Sequence, residues 1–184
     1  MKYNNDWLID KYLKQEKIKF LFFWGHQPDK KAAISKSCFS QWWETCFDIN
    51  GIVYKTAEHW MMAEKARLFN DENALQQILV SNSPAEAKKQ GRLVEGFDQA
   101  IWDQVKYQLV VTGNLVKFSS HNTLKEFLLN TGDRIIVEAS PEDTVWGIGM
   151  AADHPSIENP LQWRGENLLG YALMEVRDKL AMEL

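Results

Sequence analysis

Apolar positions recur at helical spacing along most of this chain, and strand-like runs appear only near residues 20, 50 and 135. In residues 1–17, Trp7, Leu8, Tyr12 and Leu13 stand among charges, which predicts a surface helix. Phe20–Trp24 is a short apolar run closed by Gly25 and Pro28 and reads as a strand, whereas residues 29–37 read as a loop. Cys38–Trp43 and Phe47–Tyr54 accompany a turn signal, with Asn50-Gly51 the tightest two-residue turn in the chain.

From Thr56 onward the spacing is helical. Thr56 caps a predicted helix running to about Leu68, and Asp71 caps a second with Leu75, Ile78 and Leu79 inward. Ser83-Pro84-Ala85-Glu86 is a capping box with proline at the first helical position, and Gly91 is the expected stop. A long helix from about Asp98 to Phe118 carries Ile101, Trp102, Val105 and Leu109 on one stripe, with Gly113 a point where it bends or ends. A helix over 122–130 closed by Gly132, a β-branched strand over Arg134–Ala139, and a last helix over Asn167–Leu180 complete the reading. In that last helix Leu169, Leu173, Val176 and Leu180 point inward. The expected class is mainly α, a multihelical single domain with a small β element, and no repeat or linker interrupts it.

Composition sharpens this picture. A length of 184 residues suits one domain, and 45% hydrophobic residues supply its core. Eight Trp and nine Phe serve either packing or a pocket that stacks on a flat ring. The net charge of −4 argues against a domain that tracks a nucleic-acid backbone, while leaving local Lys and Arg free to hold a small phosphorylated ligand. Cys38 and Cys46 lack metal-ligand spacing and read as reduced, buried thiols. With neither a signal peptide nor a membrane-length apolar stretch, the expected compartment is the cytosol.

Four constellations carry candidate chemistry. In Glu58-His59-Trp60-Met61-Met62-Ala63-Glu64-Lys65, positions 58, 61, 62 and 65 share one helical face. A carboxylate and an amine bracketing two methionines suit a partly desolvated pocket wall, where Glu rises and Lys falls in pKa; an ordinary solvated stripe is the alternative. In the second, a strand placing Arg134, Ile136 and Glu138 on one face feeds a Ser-Pro turn and then Trp146-Gly147-Ile148-Gly149. Those glycines permit close approach by a ligand and Trp146 offers a stacking surface, or the segment is simply a turn with a structural Trp. The third is Phe23-Trp24-Gly25-His26, whose histidine serves as base, donor or loop residue; no His pair has metal spacing, so no metal is expected. The fourth is Arg164 before the last helix, an anion contact or a solvated side chain. Neither a GxSxG elbow nor a cysteine nucleophile motif is present.

The runs FFWGH (22–26), SQWW (40–43), YKTAEHWMMAEKARLF (54–69), EASPEDTVWGIG (138–149) and GENLLGYALMEVRDKL (165–180) closely resemble the YbiA-like, or NADAR, family. The resemblance spans about Lys19 to Leu180, implying a NADAR domain over 19–184 behind an N-terminal helical extension over 1–18. It implies an enzyme that splits a bond between ribose C1 and nitrogen; nothing in the sequence indicates a metal or a tightly held cofactor, so none is expected. The implied substrates are ribosylaminopyrimidine phosphate intermediates of riboflavin biosynthesis or, alternatively, ADP-ribosylated guanine. No membrane partner is implied, nucleic acid enters only as an ADP-ribosylated base, and the oligomeric state is left open.

Carried over by motif, Glu58 and Lys65 correspond to the family's central-helix pair, Glu138, Asp143 and Trp146 to its second signature, and Asn167 to its C-terminal one. Many relatives have Phe-Ser-Asn-Phe where Phe23-Trp24-Gly25-His26 stands here. On this reading Glu58, Lys65 and Asp143 are the catalytic candidates. Phe23, Trp24, Gly25, His26, Trp60, Arg67, Arg134, Glu138, Trp146, Gly147 and Asn167 are the substrate-binding candidates, with Arg164 a further phosphate contact. A module that binds ADP-ribose or NAD without chemistry is the rival from another class, and a regulatory or scaffold protein is a third reading.

Overall fold

The protein is described by a computed structural model covering residues 1–28 and 34–182 in detail. Part of the loop expected over 29–37 lies outside the described residues. Among the described residues seven helices surround two small sheets: α1 (Asn5–Leu13), α2 (Ala57–Leu68), α3 (Glu72–Val80), α4 (Pro84–Gly91), α5 (Gln99–Ser119), α6 (Asn122–Leu129) and α7 (Leu168–Ala181). The strands are β1 (Phe20–Phe23), β2 (Phe47–Ile49), β3 (Ile52–Tyr54) and β4 (Ile135–Glu138). Among the described residues no helix is long and apolar enough to cross a membrane.

Local chemistry sets most helix starts. Thr56 accepts from the His59 N–H, Asp71 from the Ala74 N–H at 2.9 Å, and Ser83 from the Glu86 N–H at 3.2 Å, so in each helix one of the donors that the first turn leaves orphaned gains a partner. Asp98 does the same for Ala100 and Ile101 at the head of α5. Asn50 and Gly51 both take positive φ, 56° and 82°, closing the β2–β3 hairpin as the Asn-Gly pair predicts.

β1 and β4 pair in parallel, Phe20 opposite Ile135 and Phe23 opposite Glu138. Parallel pairing makes both strands end at the same edge, so the Trp24-Gly25-His26 segment and the Ser140–Asp143 turn emerge side by side. α7 packs against β4, and Ile135, Ile136 and Val137 are all buried. This strand is therefore covered on both sides, as parallel strands commonly are.

α2 is the central helix, packed by α3, α4 and α5. Residues 57–63 and Ala66 are all buried, including Glu58 and His59, so this helix has no solvated face in its first two turns. Small Ala57, Ala63 and Ala66 let its neighbours approach. Gly113 does not end α5, which continues to Ser119: a Cβ there would collide with the Trp60 indole, so the missing side chain is the seat of that ring. Ile101, expected inward, is 45% exposed, and Cys46 is exposed where a buried thiol was expected; Cys38 is fully buried. α1 is tied to the core by Leu8, which is fully buried, and by Asn5, which donates to the Gly165 carbonyl and accepts from the Tyr171 hydroxyl.

Candidate active site

The α2 face inferred from spacing forms one wall of a recess. Glu58, Met61, Met62 and Lys65 line it together with Ser40, Gln41, Trp42, Lys88, Arg92, Trp102, Glu138, Asp143 and Trp146, around about 170 Å³ of space. A wider outer recess of about 470 Å³ adjoins it, walled by Trp24, Gly25, His26, Ser140 and Glu142. The two share Ser40, Trp42, Lys88, Arg92, Glu138 and Asp143, so they form one continuous site with a narrow floor and a wide mouth.

Three carboxylates, Glu58, Glu138 and Asp143, line the inner recess. Glu58 is 2% exposed and its Oε1 has no hydrogen-bond partner among the described residues. Burial pushes its pKa up to about 7, opposed by the Lys88 ammonium and the Trp42 indole N–H and reinforced by Asp143. Glu138 is half-buried as a residue, yet its Oε2 is shut from solvent and likewise unpartnered. Burial, with help from Asp143, raises it to about 8. Leaving a buried acceptor unpaired costs on the order of 1–3 kcal/mol, so two such oxygens on residues that line one recess mark a site shaped for a bound group.

Asp143 is fixed by its own loop. Its Oδ1 accepts from the N–H groups of Val145 at 2.9 Å and Trp146 at 2.7 Å, and Ser140 Oγ accepts from its N–H at 3.2 Å. The 144–148 segment then lies along 164–169, with the Asn167 N–H donating to Gly147 O at 3.1 Å and Leu169 N–H to Trp146 O at 3.1 Å. Gly165 permits this contact, since a Cβ on it would strike the Gly147 carbonyl, while a Cβ on Gly147 would instead strike the Glu138 and Asp143 carbonyls.

Lys65 donates to the Gly91 carbonyl at 2.8 Å and sits 3.9 Å from the centre of the Phe97 ring. Burial, then the nearby Arg92 guanidinium, lowers its pKa. Lys88 and Arg92, four residues apart at the end of α4, bring positive charge to both recesses. Lys88 lies 5.8 Å from the centre of the Trp42 ring. Among the described residues no group of three His, Cys, Asp or Glu side chains is arranged to hold a metal ion.

Of the residues singled out from sequence, the inner recess collects Glu58, Lys65, Glu138, Asp143 and Trp146, and the outer one Trp24, Gly25 and His26. The others lie elsewhere. Phe23 is 1% exposed and packs edge-on to Phe39 in the core, because its side chain points inward from β1. Trp60 turns toward α5, donating to Leu109 O at 2.8 Å. Arg67 pairs with Glu64. Arg134 donates to the carbonyls of Thr131 at 2.9 Å and Asn130 at 2.7 Å. Gly147 and Asn167 shape the loop without lining either recess, and Arg164 lines neither. The cations at the site are instead Lys65, Lys88 and Arg92; the spacing of Lys88 and Arg92 on one helical face was the available signal. Trp42 and Trp102 are the further aromatic walls.

Comparison with known proteins follows the same segments. Residues 22–181 match the NADAR domain. The N-glycosidase R617 of Acanthamoeba polyphaga mimivirus is 38% identical over 169 residues, which is 89% of this chain and 98% of that protein. The N-glycosidase YbiA of Escherichia coli (strain K12) is 33% identical over 135 residues, 73% of this chain and 76% of that one. The NMR structure of E. coli YbiA superposes with a TM-score of 0.73 at 28% identity, covering 91% of this chain and 88% of that chain.

Proposed function

Because the chain belongs to the NADAR family, we propose that it is an N-glycosidase hydrolysing the ribose C1–N bond of ribosylaminopyrimidine phosphate intermediates of riboflavin biosynthesis. Relatives named N-glycosidase support the bond type. The observation that carries the chemistry is that Glu58 and Glu138, each with an unpartnered buried oxygen among the described residues, line one recess walled by indoles and bordered by cations.

As the C1–N bond breaks, its electron pair leaves with nitrogen and positive charge builds on the ribose. Glu58 or Asp143 faces that charge and takes the proton of the water that adds to C1. The departing nitrogen takes a proton from Lys65 or from Glu138; the second still carries its own at neutral pH. Trp42, Trp102 and Trp146 border the space for a flat ring, and Lys88 with Arg92 offers the phosphate two cations at the mouth.

A second reading gives Lys65 a covalent role: its neutral amine adds to C1 of the ring-opened sugar, where the sugar is joined to the base nitrogen as an imine. It expels that nitrogen with a proton as the lysine Schiff base forms; water then releases the sugar aldehyde and frees the lysine. The depressed Lys65 pKa favours it, because only the neutral amine attacks. Borohydride reduction during turnover leaves a ribose phosphate adduct on Lys65 if this route operates and none if it does not.

The substrate assignment is tested by offering the purified protein ribosylaminopyrimidine phosphates and, separately, ADP-ribosylated guanine, with released base followed by mass spectrometry. Release from the first is the expected result. Release from the second alone reassigns the substrate, and release from neither replaces the hydrolase by a binding module.

A further inference from the structure

We infer that the Gln41 side-chain amide is a specificity-determining donor that hydrogen-bonds a carbonyl oxygen on the flat ring of the substrate. The inference rests on the N-glycosidase reading for the class of that ring. Gln41 lies just beyond a 3-10 turn (Lys36–Phe39), is 6% exposed and lines the inner recess. Its backbone carbonyl accepts from the Glu58 N–H at 2.9 Å, which sets it beside the start of α2.

Its orientation is dictated by α5. The Val110 carbonyl only accepts, so the Asn114 atom facing it at 2.9 Å is the amide nitrogen, Nδ2. That same NH₂ group lies 2.7 Å from the Gln41 side chain, so the Gln41 atom opposite is the oxygen, Oε1. Gln41 Nε2 is thereby left over, buried and without a partner among the described residues. Asn114 Oδ1 is also unpartnered, but Asn114 lines neither recess. One turn further along α5, Lys117 holds the backbone under Gln41, donating to Cys38 O at 2.7 Å and Ser40 O at 2.9 Å. Lys117 and Asn114 are both fully buried, so the backbone before Gln41 is gripped from beneath and its amide is tethered through Oε1.

A fixed NH₂ group calls for an acceptor. Among the groups of a ribosylated heterocycle, the sugar hydroxyls are met by carboxylates, while a ring carbonyl is an acceptor only and lies flat between the indole walls. Sites built to hydrogen-bond a substrate group discriminate strongly against analogues lacking it, since the protein group is then left unpaired.

The test is equilibrium binding, by tryptophan fluorescence and calorimetry, of the aminopyrimidinone base and of its analogue with C–H in place of the ring carbonyl. Wild type is expected to prefer the carbonyl base by roughly ten-fold or more, and Gln41→Leu to lose that preference. Gln41→Met keeps about the length and volume of the side chain and removes the donor, so it serves if the leucine variant fails to fold, and it too is expected to lose the preference. Absence of preference in wild type, or full preference in either folded variant, overturns the inference. The measurement needs no turnover: a wild type that binds selectively but releases no base contradicts the hydrolase and upholds the role of Gln41.

Discussion

Asn167 holds Glu138 in place from across the chain: its Oδ1 accepts from the Glu138 N–H at 3.0 Å while its Nδ2 donates to the Ile136 carbonyl at 3.0 Å. It does so fully buried and with a left-handed backbone, φ 54°, at the head of α7, where its side chain caps β4 rather than its own helix. Asn167→Ala strands two buried backbone groups and keeps an alanine at positive φ, a loss of roughly 2–4 kcal/mol. Thermal denaturation is expected to show a clearly lowered Tm, and the folded fraction a reduced kcat because Glu138 is no longer fixed. An unchanged Tm would show that the two bonds contribute nothing.

The site carboxylates make stability fall as pH rises. Glu58 and Glu138 have pKa values of about 7 and about 8 in the folded protein against 4.5 for an ordinary Glu, so between pH 4.5 and 8 the folded state binds more protons than the unfolded one. Their contribution is full below pH 4.5 and lost through pH 8. Glu58→Gln removes one of the two, and calorimetry across pH 5–9 is expected to show a shallower decline in Tm than wild type over that window. Equal slopes would remove Glu58 from the titration.

Lys88 and Arg92 are expected to act on binding rather than turnover. Replacing both by Ala should raise KM for a phosphorylated ribosyl substrate by about ten- to a hundred-fold, from the loss of charge-assisted bonds. KM for the same substrate without its phosphate should barely move. A loss that is the same for both substrates would place the phosphate elsewhere.

Gly113→Ala sets two effects against each other. Alanine favours a helix over glycine by about 1 kcal/mol. Its Cβ, however, meets a Trp60 indole tethered to Leu109 O, and overpacking of that kind costs about 1–3 kcal/mol. Denaturant titration is expected to give a net destabilisation, and a stabilised variant would mean the indole moves aside freely.

Sequence spacing made the helical frame and one wall of the site legible. Thr56, Asp71 and Ser83 start their helices as their chemistry demands, and the Glu58–Lys65 face lines the inner recess. What spacing cannot carry is pairing over long separation. The parallel contact of β1 with β4, which brings Trp24 and His26 beside Asp143, leaves no local signature. Trp60 has the same composition signal as Trp42, and only the glycine it meets on α5 turns it from the recess. Lys117 reads as an ordinary surface lysine of a long helix, yet it is fully buried between two carbonyls. Lys88 and Arg92 look like a solvated helix end until the recess around them is visible.

The most direct measurement pairs binding with turnover in wild type and Glu58→Gln, using a ribosylaminopyrimidine phosphate and following release of base and ribose phosphate. The expected result is release by wild type, with Glu58→Gln binding the substrate comparably and releasing about a hundred-fold less or lower still. Release undiminished in Glu58→Gln, or tight binding without release in wild type, would contradict a hydrolase centred on Glu58.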